Sequence, residues 1–165
     1  MKFSFEYRKL GDFTYNVLSD PLEIKTCLMK WIMREWEIDH REAPDEHWTV
    51  AWMDTLPKLE FALQVIHLDD IRPNADLMSV AEFQTSLKER ADEREEAMLR
   101  GVSIEPLLVH RTPEEHRDYN AALVHRTAAL VRQDGFELMD GYTRYAVLNR
   151  YEQKEVYAYV GSIPG

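Results

Sequence analysis

Five consecutive residues, Asp140-Gly141-Tyr142-Thr143-Arg144, combine side chains and backbone that suit phosphate chemistry. The pattern predicts a strand before this turn and a helix after it, so the first amides of the helix are available to an anion. Thr143 adds a hydroxyl, and Arg144 adds a guanidinium that can hold phosphate through two parallel hydrogen bonds. Asp140 can bind Mg²⁺ or accept a proton. The turn predicts a phosphate site, and the alternative is an ordinary Asp-Gly turn.

A second group of polar residues, His67-Leu68-Asp69-Asp70, follows the clearest strand of the sequence. His67 is a candidate catalytic or phosphate-contacting residue, with a hydrogen-bonded structural histidine as the alternative. Asp69 is a candidate Mg²⁺ ligand, with a solvated loop acid as the alternative. The six histidines include no pair four residues apart on a helix, and no cysteine cluster accompanies them, so no structural zinc site is expected.

Two charged segments favour surface roles over chemistry. In residues 88–96 opposite charges recur four positions apart, which is typical of a solvated helix face. Residues 39–47 mix acids, histidines and Pro44 between two tryptophans. We interpret them as a charged surface loop, although a loop of this kind can also line a pocket.

The elements that position these residues begin with an N-terminal half that ends near Pro57. Alternating aromatic residues on both sides of Gly11 predict a β-hairpin. A capping box at residues 20–23 predicts a helix to about Glu37, and Asp45 is expected to cap a short second helix. The first helix is rich in Trp and Met, which indicates either a core helix or a homodimer surface.

The second half alternates strands with helices, and this predicts an α+β or α/β fold. We expect strands over residues 59–65, 104–109, 136–139 and 156–160. We expect helices from a capping box at residues 79–82 to a stop at Gly101, over residues 112–132, and from the turn to about Tyr151.

Composition narrows the class of protein. The chain has 165 residues, 45% of them apolar, with 20 Lys+Arg against 30 Asp+Glu and a formal net charge of -10. The excess of acid argues against a DNA-binding groove, so DNA is not expected as a partner. No apolar stretch approaches the length of a membrane span, and the N-terminus does not have the pattern of a signal peptide. A single cysteine, Cys27, fits a reducing compartment, and we predict a cytoplasmic protein.

Four segments, taken in order, resemble the ParB/sulfiredoxin superfamily. The resemblance covers about residues 62–161, with residues 112–134 as an inserted helix. The matching segments are His67-Leu68-Asp69-Asp70-Ile71-Arg72-Pro73-Asn74, Pro106-Leu107-Leu108-Val109, Phe136-Glu137-Leu138-Met139-Asp140-Gly141-Tyr142-Thr143-Arg144-Tyr145-Ala146 and Lys154-Glu155-Val156-Tyr157-Ala158-Tyr159-Val160. The resemblance implies a small α+β domain in which Gly141, Tyr142, Thr143 and Arg144 bind nucleotide phosphates. It also places Asn74 near the nucleotide.

Departures from the family pattern separate its members. Sulfiredoxins carry Cys-His where this chain has Tyr142 and Thr143. The matched region contains no cysteine at all, so sulfiredoxin chemistry is not expected. The sequence ends just after the closing strand, so a DNA clamp of the ParB kind is not expected. The similar free-serine kinases keep an Asp-Gly-x-x-Arg turn, as here, but also use a Glu after the early Pro. Asn74 and Ala75 follow Pro73 in this chain, so the expected Glu base is missing, and Asp76 or Glu82 is a possible substitute.

The resemblance therefore implies a nucleotide-dependent phosphotransferase that binds ATP, ADP or CTP together with a small-molecule acceptor. Asp140, Arg144 and His67 are the candidate catalytic residues, and Asp140 and Asp69 the candidate Mg²⁺ ligands. One alternative is a non-catalytic nucleotide-binding or protein-interaction module, and another is a ParB-like nuclease. We predict an N-terminal extension over residues 1–57 packed on a domain over residues 58–165.

Overall fold

A computed structural model describes residues 3–42, 48–111 and 135–164 of the chain. The N-terminal part begins with the expected hairpin, in which strands β1 (Glu6–Leu10) and β2 (Phe13–Val17) pair antiparallel. Gly11 lies in the turn with a φ of 61°, a conformation that favours glycine. Alternate residues of β2 are buried, which ties the hairpin to the rest of the protein.

Helix α1 (Pro21–Glu42) starts as predicted but ends later. The Asp20 carboxylate caps it by accepting from the backbone N–H of Leu22 at 2.8 Å. The expected capping box is wrong in one respect, because the Glu23 carboxylate accepts from the backbone N–H of Ser4 instead. The predicted loop over residues 39–42 is also wrong: nothing in that stretch breaks a helix, so α1 continues to Glu42.

The central sheet has five strands in the order β3-β7-β5-β6-β4. Pairing is antiparallel between β3 and β7 and between β5 and β6, and parallel between β5 and β7 and between β4 and β6. The strands are β3 (Glu60–His67), β4 (Ile71–Arg72), β5 (Leu107–Arg111), β6 (Phe136–Asp140) and β7 (Glu155–Ser162). Because β4 has only two residues, it covers only the beginning of β6, where Ile71 pairs with Phe136.

Helices accompany the sheet, and the combination of the two confirms the predicted α+β class. The remaining helices are α2 (Trp48–Thr55), α3 (Ala75–Met78), α4 (Ala81–Leu99) and α5 (Tyr142–Arg150). Short 3-10 helices lie at Leu56–Lys58 and Leu68–Asp70.

One hydrophobic core contains buried residues of α4, α5 and the hairpin, together with one set of strand side chains. A second core joins α1 to the strand side chains Phe61, Leu108, Met139 and Tyr159. The sheet is therefore covered on both faces, and residues from the predicted N-terminal extension contribute to both cores.

The region before α4 differs from the sequence-based expectation. Asn74 caps the short helix α3, because its side chain accepts from the backbone N–H of Leu77 at 2.9 Å. Ser79 was expected to open a capping box, and this is wrong: its hydroxyl donates back to the carbonyl of Asp76, and α4 begins after Val80. The predicted strand from Ile104 starts only at Leu107, and Ile104 instead forms an isolated bridge with Tyr15 of β2.

Some expectations fall outside the described residues. These are the inserted helix over residues 112–134 and the cap at Asp45. Among the helices that the structure does describe, none is both long enough and apolar enough to cross a membrane.

Candidate functional site

The turn between β6 and α5 is built on a glycine in a left-handed conformation. Gly141, the N-cap residue of α5, has a φ of 100° and a ψ of 27° and gives the helix no side-chain cap. The first intrahelical bond runs from the N–H of Tyr145 to the carbonyl of Gly141 at 2.8 Å. The amides of Tyr142, Thr143 and Arg144 come before that bond and so lie in the first turn, where a helix offers donors to an anion.

Arg144 folds back across this turn instead of extending into solvent. Its Nη1 donates to the carbonyl oxygens of Glu105 at 2.8 Å and Pro106 at 2.9 Å. Its Nη2 lies 3.7 Å from a carboxylate oxygen of Asp140, and only 12% of the side chain is exposed. Arg144 therefore fastens the start of α5 to the segment that leads into β5.

The folded position of Arg144 depends on the missing side chain of Gly141. A Cβ at position 141 would lie 2.8 Å from Arg144 Nη2 and 3.0 Å from Leu107 Cδ2. Real Cβ atoms essentially never approach other atoms as closely as 2.8 Å. Glycine is thus needed both for the backbone angle and for the space that the guanidinium occupies.

Tyr142 and Asn74, both predicted to contact the nucleotide, are joined by a hydrogen bond. The Tyr142 hydroxyl accepts from the backbone N–H of Asn74 at 2.9 Å and is within 3.4 Å of the carbonyl of Leu138. Tyr142 is buried, and the edge of its ring meets Phe83 of α4 with 5.8 Å between ring centroids. Its side chain therefore positions the turn, and its backbone amide is the part that can meet a ligand.

Asp140 has the electrostatic character of a proton acceptor. Burial raises the pKa of its carboxyl, and the carboxylates of Glu105 and Asp39 raise it further. Arg144 and the backbone N–H of Gly141 act in the opposite direction. A carboxyl with a raised pKa at the wall of a cavity is a typical general-base candidate.

A second acid of the same cluster comes from α1. Burial raises the pKa of Glu35, and Asp140, Asp39 and Glu105 add to the effect, whereas Arg144 lowers it. Glu35 and Asp140 thus belong to one acidic cluster, and Arg144 lowers the pKa of both. Glu35 and Asp39 were not predicted as site residues; the available signal was their spacing of four, which places them on one face of α1.

These residues surround an open cavity of about 1720 Å³ beside the end of β6. Besides the acidic cluster, it is lined by the carboxylates Asp76, Glu82 and Glu137 and by the aromatic residues Trp36, Trp52, Phe83 and Tyr142. The arginines in the described lining are Arg90, Arg94 and Arg144. Asn74 and Thr143 also line the cavity, as do Asp76 and Glu82, the possible substitutes for the family's base.

His67 and Asp69 lie elsewhere. His67 ends β3 opposite Glu155, and β7 and β5 separate β3 from β6, a distance of about 14 Å across the sheet. Asp69 is exposed on the 3-10 helix that follows, and neither residue belongs to the described cavity lining. The structure brings Asp140, Gly141, Tyr142, Thr143, Arg144 and Asn74 together, and it separates the other two from them.

A resident metal centre would need several ligands at one place. The described parts of the chain contain no group of three His, Cys, Asp or Glu residues that could hold a metal ion. Mg²⁺ commonly binds proteins through one or two carboxylates together with substrate phosphates, and Asp140 fits that mode.

Comparisons with known proteins give a single kind of match. No family model matches the chain, and no curated protein matches it. Among solved structures, the C2221 form of the Pnob8-like ParB-N domain is similar, with a TM-score of 0.39, 16% identity, and coverage of 64% of this chain and 31% of that chain. The chain thus spans about a third of the length of the structure it matches.

Proposed function

We propose that this protein binds a nucleotide at the start of α5 and transfers a phosphoryl group from it to a small-molecule acceptor. The supporting observation is the pairing of donors and base: the first turn of α5 has no side-chain cap and faces a cavity, and Asp140 lies at the same turn. Amides at a helix N-terminus suit phosphate oxygens, and Asp140 suits an acceptor hydroxyl.

In the proposed reaction, the acceptor oxygen attacks the terminal phosphorus while the bond to the leaving nucleotide breaks. The acceptor proton goes to Asp140, and the leaving nucleoside diphosphate takes the negative charge. Mg²⁺ bound with the nucleotide would neutralise phosphate charge, and Asp140, which ends β6 directly before the turn, is the candidate ligand. Arg144 acts as a positioning residue, because its Nη1 already donates to two carbonyl groups.

The binding step is tested by calorimetry with ATP, ADP and CTP, each with Mg²⁺. We expect at least one nucleotide to bind, and we expect Thr143→Asp to weaken that binding more than tenfold. An anionic side chain in the first turn repels phosphate, yet it interacts favourably with the helix dipole. Thr26→Asp is the matched control, because Thr26 is exposed on α1 and is not part of the cavity lining. Equal affinity in wild type and Thr143→Asp would overturn the proposed binding site.

The chemical step is tested separately, by following phosphorus resonances during incubation with Mg-ATP and free L-serine, the acceptor that the resemblance implies. Conversion to a phosphomonoester supports the transferase, and Asp140→Asn should abolish it without abolishing binding. Binding without transfer to any of a panel of hydroxyl compounds would favour the second candidate, a non-catalytic nucleotide-binding or protein-interaction module. The structural role of Arg144 favours this second candidate, because its guanidinium already donates to two backbone carbonyl groups.

A further inference from the structure

The cationic side chains around the cavity differ in what they already bind. Arg144 donates from Nη1 to two backbone carbonyl groups and is only 12% exposed. Arg90 and Arg94 are exposed on α4 and belong to the cavity lining, and Arg90 Nε donates within its own helix to the carbonyl of Ser86 at 3.4 Å. They are four positions apart, so they lie on one face of the helix.

Arg90 reaches toward the first turn of α5. Side chains on a helix point back toward its N-terminus, and the Arg90 guanidinium accordingly lies 5.8 Å from the centre of the ring of Phe83, which is about two turns earlier. Phe83 in turn contacts Tyr142, the first residue of α5. The series Arg90–Phe83–Tyr142 therefore brings a cation toward the amides that a phosphate would meet.

The arginine pair is unfavourable for the helix itself. Like charges four positions apart repel each other, and no acid stands three or four positions from Arg94 in either direction. Lys88, on the same helix, has Asp92 four positions later. Arg90 has Glu93 three positions later, so Arg94 is the one cation of residues 88–96 without an acid three or four positions away.

The charges in the cavity lining are unevenly distributed: α4 supplies two arginines and one acid, Glu82, whereas the charged lining residues of α1 are both acids. Glu35 and Asp39 come from α1 and Asp140 from the end of β6, whereas Arg90 and Arg94 come from α4. A polyphosphate is repelled by the first group and attracted by the second. It can keep its contact with the α5 amides if it enters along α4.

We infer that Arg90 and Arg94, rather than Arg144, supply the charged side-chain contacts to the phosphates of the nucleotide. This inference rests on the proposed function and adds to it a specific pair of binding residues. It also assigns the nucleotide to the α4 side of the cavity, which leaves the acidic α1 side for the acceptor. A hydrogen bond to a charged group is among the strong ones, so each arginine should matter measurably to affinity.

The test is titration of the full chain with Mg-ATP, and separately with inorganic pyrophosphate, in wild type, Arg90→Gln, Arg94→Gln and the double variant. We expect each single variant to bind about tenfold more weakly and the double variant about a hundredfold more weakly, since each removes one charge-assisted contact. Arg100→Gln is the matched control. Arg100 follows α4, pairs with Glu96 and is outside the described lining, and this variant should stay within twofold of wild type.

The dependence of affinity on salt gives a second readout, because each lost phosphate contact should lower the slope of log affinity against log salt. Thermal melting should be unchanged in all variants, since both side chains are exposed. If wild type binds and the double variant binds within threefold of it, the inference is wrong while the proposed function stands. If wild type binds neither these probes nor ADP or CTP, both are wrong.

Discussion

The backbone N–H of Asn74 donates a hydrogen bond to the hydroxyl of Tyr142 at 2.9 Å, and so the turn before α3 is joined to the first residue of α5. Both residues are candidates for nucleotide contact on sequence grounds, yet both already make contacts within the protein: the Asn74 side chain accepts from Leu77, and the Tyr142 ring meets Phe83. The bond holds two segments 68 positions apart at the mouth of one cavity. The shape of the candidate site therefore depends on a contact that no ligand is needed to make.

We predict that Tyr142→Phe lowers the free energy of unfolding by about 1 kcal/mol, because the part-buried backbone donor of Asn74 loses its acceptor. Urea unfolding monitored by tryptophan fluorescence measures this. Tyr7→Phe is the matched control: the Tyr7 side chain is 74% exposed, and removal of its hydroxyl should change the free energy of unfolding by less than 0.5 kcal/mol on the scale typical of surface substitutions. Equal stability of the two variants would show that the Asn74–Tyr142 bond contributes nothing.

A second prediction concerns Gly141 and uses Gly101 for comparison. Both glycines have positive φ angles, 100° and 88°, but a Cβ at Gly101 would meet nothing within 4 Å. Gly101→Ala should therefore lower the free energy of unfolding only by the backbone strain, about 1 kcal/mol. Gly141→Ala should lower it by the same strain and also by the cost of displacing Arg144. We expect a further loss of about 1–3 kcal/mol at Gly141, as is usual for overpacking.

The comparison is made by urea unfolding of both variants at one pH. Arg144→Gln in the Gly141→Ala background provides the internal control, because the shorter side chain leaves space for the new Cβ. The two substitutions should then be less than additive. A strictly additive pair would mean that Arg144 moves aside without cost and that Gly141 is required only for its backbone angle.

The sequence predicts the parts of this protein that depend on local patterns. The hairpin at Gly11, the cap at Asp20 and the strand-turn-helix at residues 136–150 are all confirmed, because each is encoded by neighbouring residues. The capping box predicted at Ser79 is wrong. The Ser79 hydroxyl has two possible backbone partners, and the local pattern does not show that it donates to the preceding carbonyl of Asp76. Glu35 could be assigned to the site only from the packing of α1 against the sheet, which joins segments about 100 residues apart.

A third prediction concerns the pH dependence contributed by Asp140. Its folded-state pKa is raised above the ordinary 3.8, chiefly by burial, so the folded protein favours the protonated carboxyl. The corresponding stability is fully present below about pH 3.8 and is lost as the pH rises through the folded-state pKa. Asp140→Asn carries no such charge, and we expect it to gain stability relative to wild type between pH 4 and pH 7.

The measurement is urea unfolding of wild type and Asp140→Asn at several values of pH in that interval. Asp12→Asn is a control at an exposed acid in the hairpin turn, and its difference from wild type should stay nearly constant. If Asp140→Asn instead becomes progressively less stable than wild type as the pH rises, the attraction of Arg144 outweighs burial. The assignment of Asp140 as a proton acceptor would then be wrong.

The last prediction concerns His110, a buried histidine of β5 with 6% exposure. Neither of its ring nitrogens has a hydrogen-bond partner among the described residues; its ring lies 5.5 Å from that of Trp52, and Glu137 faces it in the register of β5 and β6. Burial lowers its pKa from 6.5, and Glu137 opposes this. A lowered folded-state pKa gives stability that is present above pH 6.5 and is lost as the pH falls below it, because the unfolded chain takes up the proton first.

We therefore expect wild type to lose stability between pH 7.5 and pH 5.5 with a contribution from His110 of at most about 1.4 kcal/mol per pH unit. His110→Leu should remove that contribution and lose less over the same interval. It should also be no less stable than wild type at pH 7.5, since it removes two unsatisfied buried nitrogens. His67→Leu, at an exposed position, should retain the acid loss of wild type. If His110→Leu shows the same acid loss as wild type, the ring takes up its proton within the folded protein, and Glu137 then outweighs burial.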